Sequence, residues 1–331
     1  MPSTIMPMTL GDTFDKTLRL IGKTFTRNAA ISVSFLIVPV ILFTIAANHF
    51  YSSFPSFSAG TTPNNIGPIG PMFAGGFYFG IASMLFAFAS MMAEIAISIL
   101  IGGELNSEHI DYATAVKMTF GSRWLNGIGE GILKTLAIFG VVIFTAILGG
   151  IIAAAAGRGS AGSTGLLVLF TVLFILIIVA ALFYCLLRLY FALTAVALQD
   201  LGPIEAFKKS WFLVGGHWWR TLGILILFFL LSSFAISVIT VPVTFGSMWG
   251  EYKDLFTALG QSGGHMDPAQ LHHLQTRLGH LIGIGSGLSS VLSLLLTPAF
   301  TVVMYFDLRA RHDDFPAEST PTTSEVPVTT I

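Results

Sequence analysis

Six stretches of this chain contain no formally charged residue, and each is long enough to cross a lipid bilayer as a helix. At a rise of about 1.5 Å per residue, about 20 apolar residues cross the roughly 30 Å of hydrocarbon in a membrane. Such segments must be helical because lipid leaves backbone amides without other partners. The stretches are 29–47, 73–93, 135–156, 164–187, 221–245 and 281–306. The sequence therefore predicts an all-α integral membrane protein with six transmembrane helices.

The composition agrees with this fold class and excludes several functions. Of 331 residues, 54% are hydrophobic and only 10% are charged, whereas an average soluble domain has about 25% charged residues. The formal net charge is −1 and no basic patch stands out, so we expect no nucleic-acid partner. Cys185 is the only cysteine, which excludes an intrachain disulfide framework and a cysteine metal site.

The distribution of charge predicts the orientation of the chain in the membrane. Thirteen of the 16 Lys and Arg residues lie before the first stretch, between the second and third, between the fourth and fifth, or after the sixth. The other three are Arg158, Lys253 and Arg277. Short loops rich in Lys and Arg stay in the cytoplasm. We therefore expect a multi-pass protein of the plasma (inner) membrane with both termini cytoplasmic, and a first stretch that is retained as a span and not cleaved.

A repeat of short amphipathic segments divides the chain. The first and third copies align without a gap at a separation of 193 residues, and a weaker copy lies between them. The apolar stripes have helical spacing and consist of Phe14, Leu18, Ile21 and Phe25; of Val116, Phe120 and Trp124; and of Phe207, Trp211, Val214 and Trp218. Basic positions recur too, since Lys16 and Arg27 correspond to Lys209 and Arg220.

The repeat predicts three helix-hairpin pseudo-repeats within one membrane domain, residues 1–311. Each unit would begin with a cytoplasmic interfacial amphipathic helix, and the units would span about 9–105, 106–200 and 201–311. Residues 312–331 have almost no apolar periodicity, and we expect a disordered cytoplasmic tail.

Local signals mark where several helices begin. Thr9 and Asp12 have the spacing of a capping box. Gly202 is followed by Pro203, and proline is well tolerated in a first helical turn. Asp267 and Pro268 predict another helix start within the third outer loop.

Three segments resemble the membrane domain that is attached to some glycerophosphoryl diester phosphodiesterases. They are MPMTLGDTFDKTLRLIGKTF, LQDLGPIEAFKKSWFLVGGHWWRTLGIL and TPAFTVVMYFDLRAR. The resemblance implies a multi-span membrane domain. In those enzymes a separate barrel of about 250 residues carries the chemistry, and only some 25 residues follow the last stretch here, so we expect a stand-alone membrane domain without the catalytic barrel.

Glu94 and Arg188 are the strongest candidates for an intramembrane polar centre. Glu94 lies 21 residues before Ala115, and Arg188 lies 18 residues before Ala206, so the repeat places them at similar depth on equivalent helices. An unpaired charge in hydrocarbon costs at least about 3 kcal/mol, which favours an ion pair. The pair could bind an ion, a proton or a lipid headgroup; alternatively it clamps two helices, or Arg188 snorkels to the inner surface.

Other candidate residues favour structural roles. Glu130 and Lys134 have the i, i+4 spacing of an interfacial ion pair. Asp307, Arg309 and Arg311 are typical of a charged stop at the inner surface. Small residues recur at the four-residue spacing of close helix packing in lipid: Gly76 and Gly80, Gly127 and Gly131, and Gly279, Gly283 and Gly287.

The amphipathic segments predict contact with the inner leaflet. Basic side chains beside aromatic ones suit anionic lipids, which attract each Lys or Arg by about 1 kcal/mol. The predicted lipid-interface residues are Phe14, Leu18, Phe25, Lys208, Lys209, Trp211, Trp218 and Trp219. The same surface could instead dock a membrane-protein partner.

No catalytic signature is present. The sequence contains no HExxH, GxSxG, Walker or CxxC motif. The cluster His265, Asp267, His272, His273 and His280 lacks the spacing of a compact metal pair, so we expect no metal and no cofactor. We predict a non-catalytic membrane protein, a scaffold or accessory component of a lipid-related, transport or envelope assembly. A transporter or channel for a small amphiphile or ion is the alternative, and an intramembrane enzyme ranks third.

Overall fold

The computed structural model describes residues 7–53, 69–156, 161–261 and 268–312. Secondary structure in these ranges consists of α-helices and one π-helical turn. The α-helices are α1 (Leu10–Ser52), α2 (Ile69–Leu105), α3 (Tyr112–Met118), α4 (Trp124–Ala156), α5 (Ala161–Arg188), α6 (Ala192–Gln199), α7 (Pro203–Gly215), α8 (Trp218–Gln261) and α9 (Pro268–Arg311). Six helical segments are long and apolar enough to cross a membrane. The all-α prediction and the six candidate spans are therefore confirmed.

The helix starts follow the sequence signals. Thr9 caps α1: its hydroxyl accepts a hydrogen bond from the Asp12 amide at 3.2 Å, and the Asp12 carboxylate accepts one from the Thr9 amide at 3.1 Å. Pro203 and Pro268 are the first residues of α7 and α9. Asp267, most of the outer loop between α1 and α2, and the tail after His312 lie outside the described residues.

The three amphipathic segments join their spans differently. In the third unit, Gly216 and His217 separate α7 from α8. In the second unit a π-helical turn, Thr119–Arg123, links α3 to α4, and Gly121 leaves helical geometry with ψ at −136°. The first segment is not a separate helix, because α1 runs without a break for 43 residues. The first amphipathic segment is therefore continuous with its span, because Gly22 alone does not interrupt a helix that is capped at Thr9.

Helices α2, α6 and α9 meet at the centre of the molecule. Parts of α2, α6 and α9 contact one another, and their facing side chains are almost completely buried. The buried set includes Ile97 and Leu100 of α2, Ala195 and Val196 of α6, and Val303 and Met304 of α9. The centre is thus mainly apolar, although the hydroxyl residues Ser98, Thr194 and Thr301 of the same three helices are buried as well.

A glycine ladder allows α9 to lie close against α1. A β-carbon built on Gly279, Gly283 or Gly287 would lie 2.5 Å from an atom of Asn48, Thr44 or Val40, respectively. The ladder therefore permits an approach that side chains would prevent. The predicted pair Gly76 and Gly80 differs: Gly76 has ordinary contact space beside the Phe50 ring, and no atom lies within 4 Å of a β-carbon on Gly80.

The α4–α5 hairpin is the most exposed part of the bundle. Leu136 and Leu176 are 61% and 58% exposed, as expected for helices surrounded by lipid chains. Near its base α4 packs closely on other helices, since β-carbons on Gly127 and Gly129 would collide with Ile95 and Pro203. The hairpin is therefore held mainly at one end.

Candidate functional site

Buried charges cluster at the end of the bundle that contains residues 8 and 311, which we call the terminal face. Asp307 of α9 is fully buried and binds the guanidinium groups of Arg220 at 2.6 Å and Arg311 at 3.1 Å. Its carboxylate also accepts a hydrogen bond from the Met8 amide at 2.6 Å. Both arginines donate to the Met8 carbonyl, at 2.9 and 2.6 Å. The predicted charged stop is thus a closed network that ties the chain before α1 to α8 and α9.

A second network surrounds Glu104 near the end of α2. The Glu104 side chain is only 4% exposed and pairs with Lys23 at 2.7 Å. Arg27 also binds the Glu104 carboxylate and donates to the Ile110 carbonyl at 3.1 Å. His109 approaches the same carboxylate at 3.4 Å.

The two networks have the same layout. Arg27 and Arg220 are 193 residues apart, and each binds a carboxylate near the end of a long helix, α2 for Arg27 and α9 for Arg220. Each also binds the carbonyl of a residue two positions before the next helix: Ile110 before α3, and Met8 before α1. The Asp307 network therefore closes back on the beginning of the chain.

The middle unit forms this junction without an arginine. Gly129 lies 102 residues after Arg27, the same shift that relates Ala115 to Thr13 in the repeat. A β-carbon on Gly129 would lie 2.5 Å from Pro203. The nearby carboxylate of Asp200 accepts hydrogen bonds from Ser122 at 2.5 Å and Asn126 at 3.4 Å. Close packing and hydrogen bonds from neutral donors to a carboxylate thus replace the ion pair.

Glu94 shares its environment with Glu130 and Lys134. The Lys134 ammonium lies 2.6 Å from the Glu130 carboxylate, and the Glu130 side chain is 4% exposed. The charges of Lys134 and Glu130 both act on Glu94. Glu94 of α2 is therefore within electrostatic range of the Glu130–Lys134 pair of α4. The predicted Glu130–Lys134 contact is present and, on the Glu130 side, buried.

Arg188 has different neighbours from those that its sequence position suggests. Among the described ion pairs it is not joined to Glu94. Its guanidinium lies over the Trp211 ring at 4.6 Å and the Tyr184 ring at 5.0 Å, and it donates to the Trp211 carbonyl at 3.2 Å and to the Tyr184 hydroxyl. The expected Glu94–Arg188 pair is therefore not formed. The physical reason is that α5 ends at Arg188, where the side chain instead binds the last turns of α7.

Ser210 holds this helix end in place. Its hydroxyl donates to the Arg188 carbonyl at 2.6 Å and accepts from the Phe191 amide at 3.2 Å. Ser210 is fully buried. One side chain of α7 thus satisfies two backbone groups that the break between α5 and α6 leaves without helical partners.

The predicted interface residues divide between surface and core. Leu18 and Phe25 of α1 and Trp211 and Trp219 of α7–α8 are 65%, 52%, 42% and 79% exposed. Lys208 is exposed as well. Phe14 and Trp218 instead pack against the core. The inward face of the first half of α1 is polar, because Thr13, Thr17, Thr24 and Asn28 are buried there.

The sequence reasoning missed the partners of these charges. It found that Arg27 and Arg220 recur, but it did not connect Glu104 with Asp307 as the acids that they bind. The number of residues between arginine and acid differs, 77 for Arg27 and Glu104 and 87 for Arg220 and Asp307, so no single offset connects the two pairs. The position of Glu104 and Asp307, each shortly after a long uncharged stretch, was the signal that could have identified them as partners of the arginines.

The comparisons with known proteins identify a family. Residues 8–308 match the model of a domain of unknown function, DUF7847. The chain belongs to this family. The DUF7847 domain thus begins at Met8, in the Asp307 network, and ends one residue after Asp307. No curated protein and no solved structure matches the chain.

The family match carries no statement of activity. The resemblance to the membrane domain of glycerophosphoryl diester phosphodiesterases remains an expectation, because the match does not test it. In the described ranges, no group of three or more His, Cys, Asp or Glu side chains is arranged to hold a metal ion. His265 and Asp267 of the predicted histidine cluster lie outside those ranges.

Proposed function

We propose that this DUF7847 protein is a non-catalytic scaffold or accessory component of a lipid-related, transport or envelope assembly in the plasma membrane. The observation that carries the proposal is the closed apolar centre, where α2, α6 and α9 meet. A transport path needs polar groups or a cavity along its length. The side chains buried in this centre are mainly apolar and none is formally charged among those named, which supports a structural role.

The proposal includes a three-unit architecture with both termini in the cytoplasm. It is supported by the common layout of the Arg27–Glu104 and Arg220–Asp307 networks. In each, an arginine at the same repeat position binds the return helix of its unit and the chain before the next unit. Most basic residues lie on the same side as these networks, in agreement with a cytoplasmic terminal face.

The exposed face of α7 is the surface that we assign to partner contact. Ile204 and Phe212 are 62% and 54% exposed, and Lys208 is exposed between them. A partner that packs on this face would bury apolar side chains beside a cation, as protein interfaces commonly do.

Native mass spectrometry of the protein in lipid nanodiscs formed directly from its own membranes tests this role. We expect a protein partner at fixed stoichiometry, and we expect Ile204→Ser with Lys208→Glu to release it. Lys253→Glu is the control, because it makes the same charge change on an exposed residue at the opposite end of α8. Retention of the partner by the α7 variant would reject the assigned surface. Absence of any partner at fixed stoichiometry would reject the scaffold role.

Transport is the second candidate because Glu94 is within electrostatic range of the Glu130–Lys134 pair. Intramembrane charges frequently mark ion or proton paths. Purified protein in liposomes distinguishes the two functions. A scaffold produces no flux of protons or small ions, whereas a transporter produces flux that Glu94→Gln abolishes. Flux with that sensitivity would replace the scaffold proposal.

A further inference from the structure

The side chain of Arg188 carries a charge for which the described residues supply no carboxylate partner. Its hydrogen bonds go to the Trp211 carbonyl and the Tyr184 hydroxyl, and both of these acceptors are formally neutral. Arg27 and Arg220 differ, because each binds a carboxylate. The carbonyls at the end of α7 offset part of the Arg188 charge. An anion that fully neutralises Arg188 would therefore have to be a bound molecule and not one of the described side chains.

The position of Arg188 suits a lipid phosphate as that counter-ion. The residue ends α5, directly after a stretch without charge, and is partly exposed. Trp211, over whose ring the Arg188 guanidinium lies, is exposed, and so is Trp219. Tryptophan is enriched at the level of the lipid headgroups. Guanidinium groups bind phosphate through charge-assisted hydrogen bonds.

An apolar groove runs between α5 and α8. It encloses about 370 Å³, and its walls include Phe183, Leu187, Leu222, Ile226 and Phe229. Leu187 immediately precedes Arg188 in the chain. On α8 the groove extends from Leu222 to Ser233, which is about 17 Å of helix. One leaflet of a bilayer has hydrocarbon about 15 Å thick, so the groove matches the depth of an acyl chain.

We propose that an acidic phospholipid occupies this site, with its phosphate on Arg188 and one acyl chain in the α5–α8 groove. A cation that lies over an exposed tryptophan and an apolar groove lined by the preceding residue, Leu187, complement the two ends of such a lipid. The inference deepens the proposed lipid-related function and rests on it, since it names the class of lipid and the place of binding. Tyr184 and Trp211 hold the guanidinium in position.

Binding of phosphatidylglycerol and phosphatidylcholine to the detergent-solubilised full-length protein tests the site. Native mass spectrometry counts the bound lipids at each concentration. We expect one lipid to bind with a preference for phosphatidylglycerol. Loss of one charged hydrogen-bonding partner corresponds to roughly tenfold or more in affinity. Arg188→Gln should therefore remove at least about tenfold of the preference, whereas Arg188→Lys should keep part of it. Arg19→Gln is the charge control, because Arg19 is 80% exposed and pairs with Asp15.

A second variant tests the groove and does not depend on Arg188. Ile226 is 48% exposed and lines the groove, so Ile226→Trp should fill it and weaken binding of both lipids. Val238→Trp is the control, because Val238 is 58% exposed on the same helix and lies outside the groove walls. Inorganic phosphate alone should give no increase in thermal stability.

Three results would overturn the site. They are equal binding of the two lipids to the wild-type protein, an unchanged preference in a folded Arg188→Gln variant, and unchanged binding in Ile226→Trp. Full stabilisation by inorganic phosphate alone would overturn the acyl-chain part. These measurements use purified protein and lipid. Their failure is therefore distinguishable from failure of the scaffold role, which is read from partner retention.

Discussion

Asp307 and Arg220 lie 2.6 Å apart at the terminal face, and the backbone of Met8 binds both of them. This relationship joins residues from the beginning, the fifth span and the end of the chain in one buried site. Arg27 and Glu104 form the corresponding contact in the first unit. Asp307 and Arg220 thus bind the backbone just before α1 and fix the start of that helix to α8 and α9.

The Asp307 network should contribute strongly to stability. Asp307→Asn leaves Arg220 and Arg311 without their carboxylate, and loss of one partner in a buried ion pair costs about 3–5 kcal/mol. We expect a large fall in the thermal unfolding midpoint of the detergent-solubilised protein. Asp15→Asn is the matched control, because Asp15 and Arg19 are 62% and 80% exposed, and an exposed pair contributes at most about 1 kcal/mol. Equal effects of the two substitutions would contradict the assignment.

The contact between α1 and α9 should be sensitive to single methyl groups. In Gly283→Ala the new β-carbon would lie 2.5 Å from the Thr44 backbone, and overpacking costs about 1–3 kcal/mol. We expect a lower unfolding midpoint. Gly80→Ala should be neutral or slightly stabilising, because nothing lies within 4 Å of its β-carbon and alanine favours helix. A destabilised Gly80→Ala variant would restore the packing role predicted for Gly80 from sequence.

Energetic coupling should connect Glu94 with Lys134 and not with Arg188. Glu94→Gln and Lys134→Gln alter charges that act on each other, so the double variant should depart from additivity by about 0.5–3 kcal/mol. Glu94→Gln with Arg188→Gln should be additive within about 0.5 kcal/mol. Unfolding of the single and double variants in one detergent measures both cycles. Strong coupling between Glu94 and Arg188 would support the pair that the sequence predicts.

The stability of the folded protein should fall at low pH because of His217, which lies in the turn between α7 and α8. Burial, followed by nearby His312 and Arg311, lowers the pKa of His217 from its ordinary value of 6.5. The folded state therefore favours the neutral ring. This contribution is fully present above about pH 6.5 and is lost as the pH falls through the lower folded-state pKa.

Comparison of His217→Gln with the wild-type protein isolates this effect. The unfolding midpoint is measured between about pH 8 and pH 5, the range in which an ordinary histidine titrates. We expect the wild-type midpoint to decrease more than that of the variant, because carboxylates contribute similarly to both proteins. Parallel pH profiles would exclude His217 as the cause.

The sequence by itself determined the class of fold. The uncharged stretches require helices because hydrocarbon satisfies no backbone amide, and all of them lie within described helices. Local signals were equally reliable, since Thr9 and Pro203 begin helices by interactions within a few residues. Spacing also brought Glu130 and Lys134 together, because one helical turn fixes their distance.

Only the tertiary structure decided which distant charges meet. Equal depth suggested Glu94 and Arg188, but the choice depends on the rotation of each helix and on where it ends. The end of α5 directs Arg188 to Trp211, and packing of α4 on α2 brings Glu130 and Lys134 within electrostatic range of Glu94. Hydrophobic periodicity specifies which face of a helix is apolar. It does not specify which neighbouring helix that face contacts, because lipid and protein interiors are both apolar.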